Sequence, residues 1–157
     1  MAANAQAIVD SFKTDILTAL HAFTTTVIRG GTTKDAFYAA LFVTGNSMGA
    51  ATTAYSSSGE VTNSGATTGY TAGGLAITNG AAPSVTSHVA HWTPTASFVW
   101  TAFSSAAAFD CCLIYNNTAT GKNAVAVYVF GSQAITAGTF TLSMPTDDNV
   151  TGLLRIA

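Results

Sequence analysis

Four closely spaced runs in the second half of the chain do most to limit what it can fold into. They are Phe98-Val99-Trp100-Thr101-Ala102-Phe103, Phe109 to Tyr115, Val125-Ala126-Val127-Tyr128-Val129-Phe130 and Thr139 to Met144. Each is rich in aromatic and β-branched residues, and clusters of Asn, Gly and Ser separate them, which is the pattern of strands in quick succession. In the last run Phe140, Leu142 and Met144 alternate with Thr139, Thr141 and Ser143, so one face is expected to point inward. Leu153-Leu154-Arg155-Ile156 reads as a short closing strand. Upstream, Phe37-Tyr38-Ala39-Ala40-Leu41-Phe42-Val43, bounded by Gly45-Asn46, suits a strand buried on both faces, with a helix as the alternative. Seven or eight short strands predict a mainly β fold, a sandwich or jelly roll of short antiparallel strands.

One segment carries a different period. Ile8, Phe12, Ile16, Leu20 and Phe23 recur at helical spacing, with Lys13, Asp15 and Thr18 off the stripe, which predicts an amphipathic helix over residues 5 to 23. Arg29-Gly30-Gly31 interrupts it. Residues 1–30 are therefore read as an N-terminal helix or arm and 31–157 as the β-sandwich domain. Such a helix either caps its own sheet or reaches a neighbouring subunit. From Gly45 to Gly80 the chain turns to Gly, Thr, Ser and Ala, the composition of a long, ordered, surface loop with short strands, and Asn79-Gly80 reads as a tight turn. A length of 157 residues accommodates one ordinary domain.

Composition says how such a domain meets water. Charged residues make up 8% of the chain and hydrophobic ones 48%, against roughly 25% charged in an average soluble protein. Thr, Ser, Asn and Gly must cover the surface, in runs such as Thr24-Thr25-Thr26, Thr52-Thr53, Ser56-Ser57-Ser58 and Thr67-Thr68. Hydroxyls hydrate a surface but repel neighbours weakly, so a chain of net charge −2 is expected to pack against copies of itself or a partner. The basic residues Lys13, Arg29, Lys34, Lys122 and Arg155 are scattered, which excludes a patch for phosphate backbones and argues against direct nucleic-acid binding. The N-terminus lacks a basic start followed by an apolar core, and no apolar run is long enough to span a bilayer. A cytoplasm-like setting and no membrane partner are expected. Cys111 and Cys112 are adjacent, point to opposite faces of a strand and read as two buried thiols.

Sequences that resemble reactive motifs carry weak signals. Gly45-Asn46-Ser47-Met48-Gly49 matches the G-x-S-x-G nucleophile elbow, but Thr52, Thr53 and Ser56 to Ser58 are poor material for the helix that an elbow requires, and a Gly-rich turn is the simpler reading. His88 and His91 are close enough to share a metal, with Asp110 as a distant candidate, yet no complete ligand set is marked, and hydroxyl-paired histidines beside Trp92 are the ordinary reading. His21, near the end of the expected helix, suits the helix dipole there. Asp147-Asp148-Asn149 reads as a turn whose side chains bond the backbone, with weak calcium binding as its rival. Gly121-Lys122-Asn123 is a turn and not a phosphate cradle. No enzyme activity, catalytic residue, metal or cofactor is expected. Tyr55, Tyr70, Trp92 and Trp100 offer flat faces of the kind that stack on sugar rings, so a carbohydrate-binding β-sandwich module is the rival from another class. Tyr and Trp equally anchor protein interfaces.

The order of segments resembles the small β-rich virion structural proteins of tailed bacteriophages. The likeness runs from the apolar strand at residue 37 through Ala54-Tyr55, Gly59-Glu60-Val61 and Gly69-Tyr70-Thr71-Ala72-Gly73-Gly74. It continues in Ile114-Tyr115-Asn116, Val127-Tyr128-Val129-Phe130-Gly131, Gly138-Thr139-Phe140 and Thr151-Gly152-Leu153-Leu154-Arg155-Ile156. It spans residues 37 to 157 and leaves the helix outside. The resemblance implies a particle component in the virion, assembled in the host cytoplasm and partnered by itself and by the major capsid protein or other virion proteins. By analogy a capsid decoration or cement protein, as a trimer, is favoured, with a head-tail connector, tail or fibre component as the alternative. Glu60, Tyr70, Gly73, Gly74 and Trp92 are the candidate interface positions. Glu60, the only acidic residue between Asp35 and Asp110, and the Gly69 to Gly74 segment serve either an interface or the support of a loop, and a salt bridge at a subunit boundary or a solvated turn would equally account for Glu60.

Overall fold

A computed structural model describes residues 3–24, 33–65, 68–78 and 82–157. The expected break at Arg29-Gly30-Gly31, the boundary at residue 30, the turn at Asn79-Gly80 and parts of the Thr24 to Thr26 and Thr67-Thr68 runs lie outside the described residues.

The chain opens with a two-residue strand, β1 (Ala7–Ile8), and a helix, α1 (Asp10–Leu17). Then follow β2 (Phe37–Val43), β3 (Leu75–Ala76), β4 (Ser84–Thr86), β5 (Val89–Trp92) and β6 (Phe98–Phe103). The last four strands are β7 (Phe109–Asn116), β8 (Ala124–Gln133), β9 (Gly138–Leu142) and β10 (Leu154–Ile156). The fold is mainly β, with antiparallel sheets and, among the described residues, one short helix. A five-stranded sheet runs β1-β8-β7-β2-β3, a three-stranded one β10-β5-β4, and β6 pairs with β9.

The strongest sequence signals sit where they were read. Strands β2 and β6 coincide with their apolar runs, and β7 and β8 extend theirs by a few residues. Phe140 is buried, while Thr139, Thr141 and Ser143 are exposed. At the centre, β2 pairs with β7 from Phe37↔Asn116 to Phe42↔Cys111, and almost every side chain on both strands is buried, as expected for strands covered on both faces. Cys111 and Cys112 lie opposite Phe42 and Leu41, are free and buried, and so project to opposite faces. Burial pushes the Cys111 thiol up to about 12 and raises that of Cys112 as well, which leaves both unreactive.

Aromatic rings hold the smaller sheets on the large one. Phe140 of β9 lies edge-on to Phe109 at 5.0 Å and close to Phe130 and Trp100. Trp92 of β5 packs edge-on against Phe23 at 5.0 Å, and Phe23 stacks on Phe37 at 4.4 Å. Each geometry is among those that ring quadrupoles favour.

The helix is shorter than its apolar spacing predicts. At its front, sheet pairing takes the backbone: Ala7 and Ile8 pair with Val127 and Ala126, and Val9 N–H donates to Val125 O. At its back, Leu20 N–H reaches Asp15 O and Ala19 N–H reaches Ile16 O, the paired bonds of a Schellman stop, with Ala19 in the left-handed region at φ 57°. The first described segment packs on its own domain, since Val9 and Phe12 belong to the common core. The Gly45 to Gly80 segment also differs from its reading as exposed surface, for Met48, Glu60, Val61, Tyr70 and Ile77 are buried. Between β4 and β5 lies a hairpin that the sequence does not announce. Its two turn residues, Ser87 and His88, both have positive φ, 48° and 68°, as in a type I′ turn, which ordinarily uses Asn and Gly.

An alanine in the left-handed region carries a steric cost that glycine does not. Ala19→Gly is therefore expected to stabilise the protein by about 0.5–1 kcal/mol, read as a rise in the midpoint of urea unfolding with an unchanged slope.

Candidate functional site

Four of the five candidate interface residues converge on the open edge of β2. That edge is covered in pieces: Ile77 N–H donates to Phe37 O, Val61 N–H to Leu41 O, and Val43 N–H to Gly59 O. The remaining donor, Leu41 N–H, bonds the Tyr70 hydroxyl at 2.9 Å. Tyr70 in turn donates to Glu60 Oε1 at 2.8 Å, Gly73 N–H donates to the same oxygen at 2.7 Å, and Tyr55 donates to Oε2 at 2.6 Å. The Tyr115 hydroxyl reaches Gly73 O. Asn63 locks Tyr70 with its side-chain amide, accepting from Tyr70 N–H and donating to Tyr70 O.

Glu60 is thus a buried carboxylate satisfied by two phenols and a backbone amide. Among the described residues it has no ion pair; its oxygens accept from neutral donors inside one chain, and its burial overturns the reading of a solvated turn residue. Glu60 and Tyr70 are 8% and 4% exposed, which makes them supports of the loop that edges the sheet. Gly74, at φ 78°, presses on the Ala39 carbonyl so closely that a Cβ would stand 1.9 Å from its oxygen. Glycine is required there both for room and for backbone conformation.

Trp92, the fifth candidate, lies at an open apolar groove. A hollow of about 260 Å³ between α1 and the three-stranded sheet is lined by Phe12, Ile16, Phe23, Trp92, Leu154 and Ile156 among others. A second of about 380 Å³ adjoins it and shares Phe12, Ile16 and Ile156, adding Ile8, Leu17, Lys13 and Arg155. Leu17 is 87% exposed, and Ile16, Leu20 and Ile156 are all about two-fifths exposed. Trp92 Nε1–H is buried without an acceptor, an uncommon condition for a buried donor. Ile16, on the apolar stripe of α1, and Leu20, beyond the end of the helix, both stay partly in solvent.

The other candidates fall as follows. Ser47 sits in an exposed turn at φ 62° and no helix follows it, so the nucleophile-elbow match has no structural counterpart. Trp100 is buried, as are Tyr70 and Trp92, so three of the four rings considered for sugar stacking are enclosed in the core. His88 is exposed at the hairpin tip, whereas His91 is buried. Among the described residues no group of three or more His, Cys, Asp or Glu is placed to hold a metal ion, and Asp110 accepts from Asn4 instead. His21 lies beyond the end of α1. It receives a hydrogen bond from Asn116 at 3.1 Å and stands 3.5 Å from Asp15; burial lowers its pKa, against the opposing pull of Asp15 and Asp35. Its setting is therefore a buried pocket and not a helix terminus. Asp148 closes its turn as read, accepting from Val150 and Thr151 N–H. His91 Nδ1 lies 2.9 Å from Asp147, and its Nε2 lies 3.1 Å from Ser84 Oγ and 3.2 Å from Thr86 Oγ1. These partners are unmarked by any spacing in the sequence, because the hairpin that juxtaposes them lacks a Gly or Asn turn. No described helix is long and apolar enough to cross a membrane.

Tyr70→Phe removes one donor from Glu60 and the acceptor of Leu41 N–H. It is expected to cost about 2–3 kcal/mol in urea unfolding, the penalty of buried groups left unsatisfied. The phenols also set an alkaline limit. Burial, followed by the Glu60 charge, pushes Tyr115 up to about 12, and Tyr55, Tyr70 and Tyr128 are raised further, burial again first. Their neutral forms are favoured in the folded state, so stability is full below the unfolded tyrosine pKa, about 10, and falls as pH rises toward and beyond 12. Tyrosinate absorbance should lag above pH about 10 and then rise together with the loss of near-ultraviolet circular dichroism.

Comparison with family models, curated proteins and solved structures returned no match to this chain.

Proposed function

We propose that this chain is a structural subunit of a tailed-phage particle, a capsid decoration protein that acts by binding as a homo-oligomer, expected to be a trimer. The observation that carries the assembly reading is the open groove beside α1. It joins exposed Leu17 and Ile156 to the Trp92 ring edge, on a protein whose surface has little charge to oppose association. Covering an apolar side chain of this size is worth about 1.5–3 kcal/mol, and a symmetric assembly repeats that gain at every copy. Added contacts between capsid subunits would stabilise the shell by mass action. The phage setting is supported by the order of motifs from residue 37 to 157.

Light scattering of the purified protein, followed by imaging with capsids that lack a decoration protein, tests the proposal. A discrete oligomer that covers the capsid lattice supports it, and a ring or tube at one vertex reassigns the chain to the neck or tail. A monomer that binds no particle overturns it. Leu17→Lys, at a side chain almost wholly in solvent, is expected to leave the circular dichroism spectrum unchanged and to reduce the scattering mass to that of a monomer.

A further inference from the structure

The hairpin β4–β5 and the loop before β10 bring together three residues that nothing in the assembly reading uses. Ser84 and His91 are directly opposite each other in the ladder. Asp147, 56 residues further along the chain, meets the far side of the imidazole. A carboxylate only accepts hydrogen bonds, so in the neutral imidazole Nδ1 carries the proton toward Asp147 and leaves Nε2 as an acceptor. Nε2 faces the Ser84 hydroxyl at 3.1 Å. His91 is 5% exposed and Asp147 29%, while Ser84 stands at the surface. The base is thus fixed and shielded, and the hydroxyl is accessible.

We propose that Ser84, His91 and Asp147 form a nucleophilic relay in which Ser84 Oγ accepts acyl groups from small activated esters. Ser84 is the nucleophile in preference to Thr86, whose hydroxyl lies 3.2 Å from the same nitrogen, because a primary alcohol attacks with less steric hindrance than a β-branched one. The Val85 N–H is the candidate oxyanion donor. β4 is an edge strand, and a two-residue turn makes Thr86–Val89 and Ser84–His91 the hydrogen-bonded pairs. The Val85 N–H, directly after the nucleophile, therefore points off the free edge. This arrangement meets the geometric criteria of base to nucleophile and orienting group to base.

In the reaction, Ser84 Oγ bonds to the acyl carbon as its proton passes to His91 Nε2. The oxyanion faces the Val85 N–H. The bond to the leaving alcohol then breaks, and Nε2 returns the proton to that alcohol, leaving an acyl-serine. Water repeats the sequence and releases the acid. The apolar hollow lined by Ala90 and Trp92 also touches His91 and Pro83, the residue before Ser84. Ser84 itself does not line that hollow, and the substrates are accordingly small and chosen by reactivity.

The test is acetylation of the full chain by p-nitrophenyl acetate, followed by intact mass and peptide mapping. One acetyl group on Ser84 is expected. Ser84→Ala should abolish it, and His91→Gln should slow it about 100-fold or more, within the range of general-base catalysis. Asp147→Asn should slow it about tenfold or more while the circular dichroism melt confirms folding. Thr86→Val should leave the rate equal or faster, because it removes a competing donor from Nε2. Labelling spread over many hydroxyls and amines, labelling of Ser84 at an equal rate in folded Asp147→Asn, or neither an acid-quenched adduct nor p-nitrophenol release above the Ser84→Ala background would show that these hydrogen bonds only fasten the hairpin to the loop, and would overturn the proposal.

Discussion

Glu60 is the constraint around which half of the fold is arranged. A carboxylate taken out of water without a cation costs several kcal/mol unless every oxygen is engaged. Here two phenols and one amide engage it. Charge-assisted hydrogen bonds are the strong ones, and each donor comes from a different part of the segment that follows β2, so satisfying one charge fixes Tyr55, Tyr70 and Gly73 together. Through Tyr70 the same network supplies the one acceptor that Leu41 N–H needs, and so closes the stretch of β2 that β3 does not cover, which would otherwise be a template for pairing with another chain. The low-complexity stretch between β2 and β3 is ordered from this centre, since it has few apolar side chains with which to build a core of its own.

How much of this was legible in the sequence depended on whether the signal was local. The runs at Phe37, Phe98, Phe109 and Val125 read correctly because β-branched and aromatic residues in strands buried on both faces leave little alternative. The β4–β5 hairpin did not read, because Ser87 and His88 hold left-handed conformations that composition does not advertise. The extent of α1 was overestimated because period alone cannot register that β8 claims Ala7 and Ile8, or that an alanine ends the helix. Glu60 was singled out as the lone acid in a long neutral stretch. That signal marks a carboxylate buried among tyrosines. Three of the rings that suggested sugar stacking were core residues, a distinction that side-chain type cannot make.

The use of the remaining carboxylates explains how such a lightly charged chain can hold together and still present a surface prone to association. Asp15 accepts from Asn123, Asp35 from Ala22 N–H and Asn116, and Asp110 from Asn4, while Asp147 is paired with His91 and Asp148 caps its own turn. With Glu60, six of the seven acids in the chain act as internal acceptors, four of them across wide sequence separations. Only Asp10 is engaged solely in an exposed pair, with Lys13. Acids that elsewhere would keep copies of a protein apart are spent here on joining its own segments. The surface beside α1 then has apolar side chains and little repulsion to offset them, with Leu17 exposed on the face of α1 away from its apolar stripe. The groove and the scarcity of surface charge thus share an origin, in that polar chemistry is used to fix the loops and edges of the sheets and apolar area is left where α1 meets solvent.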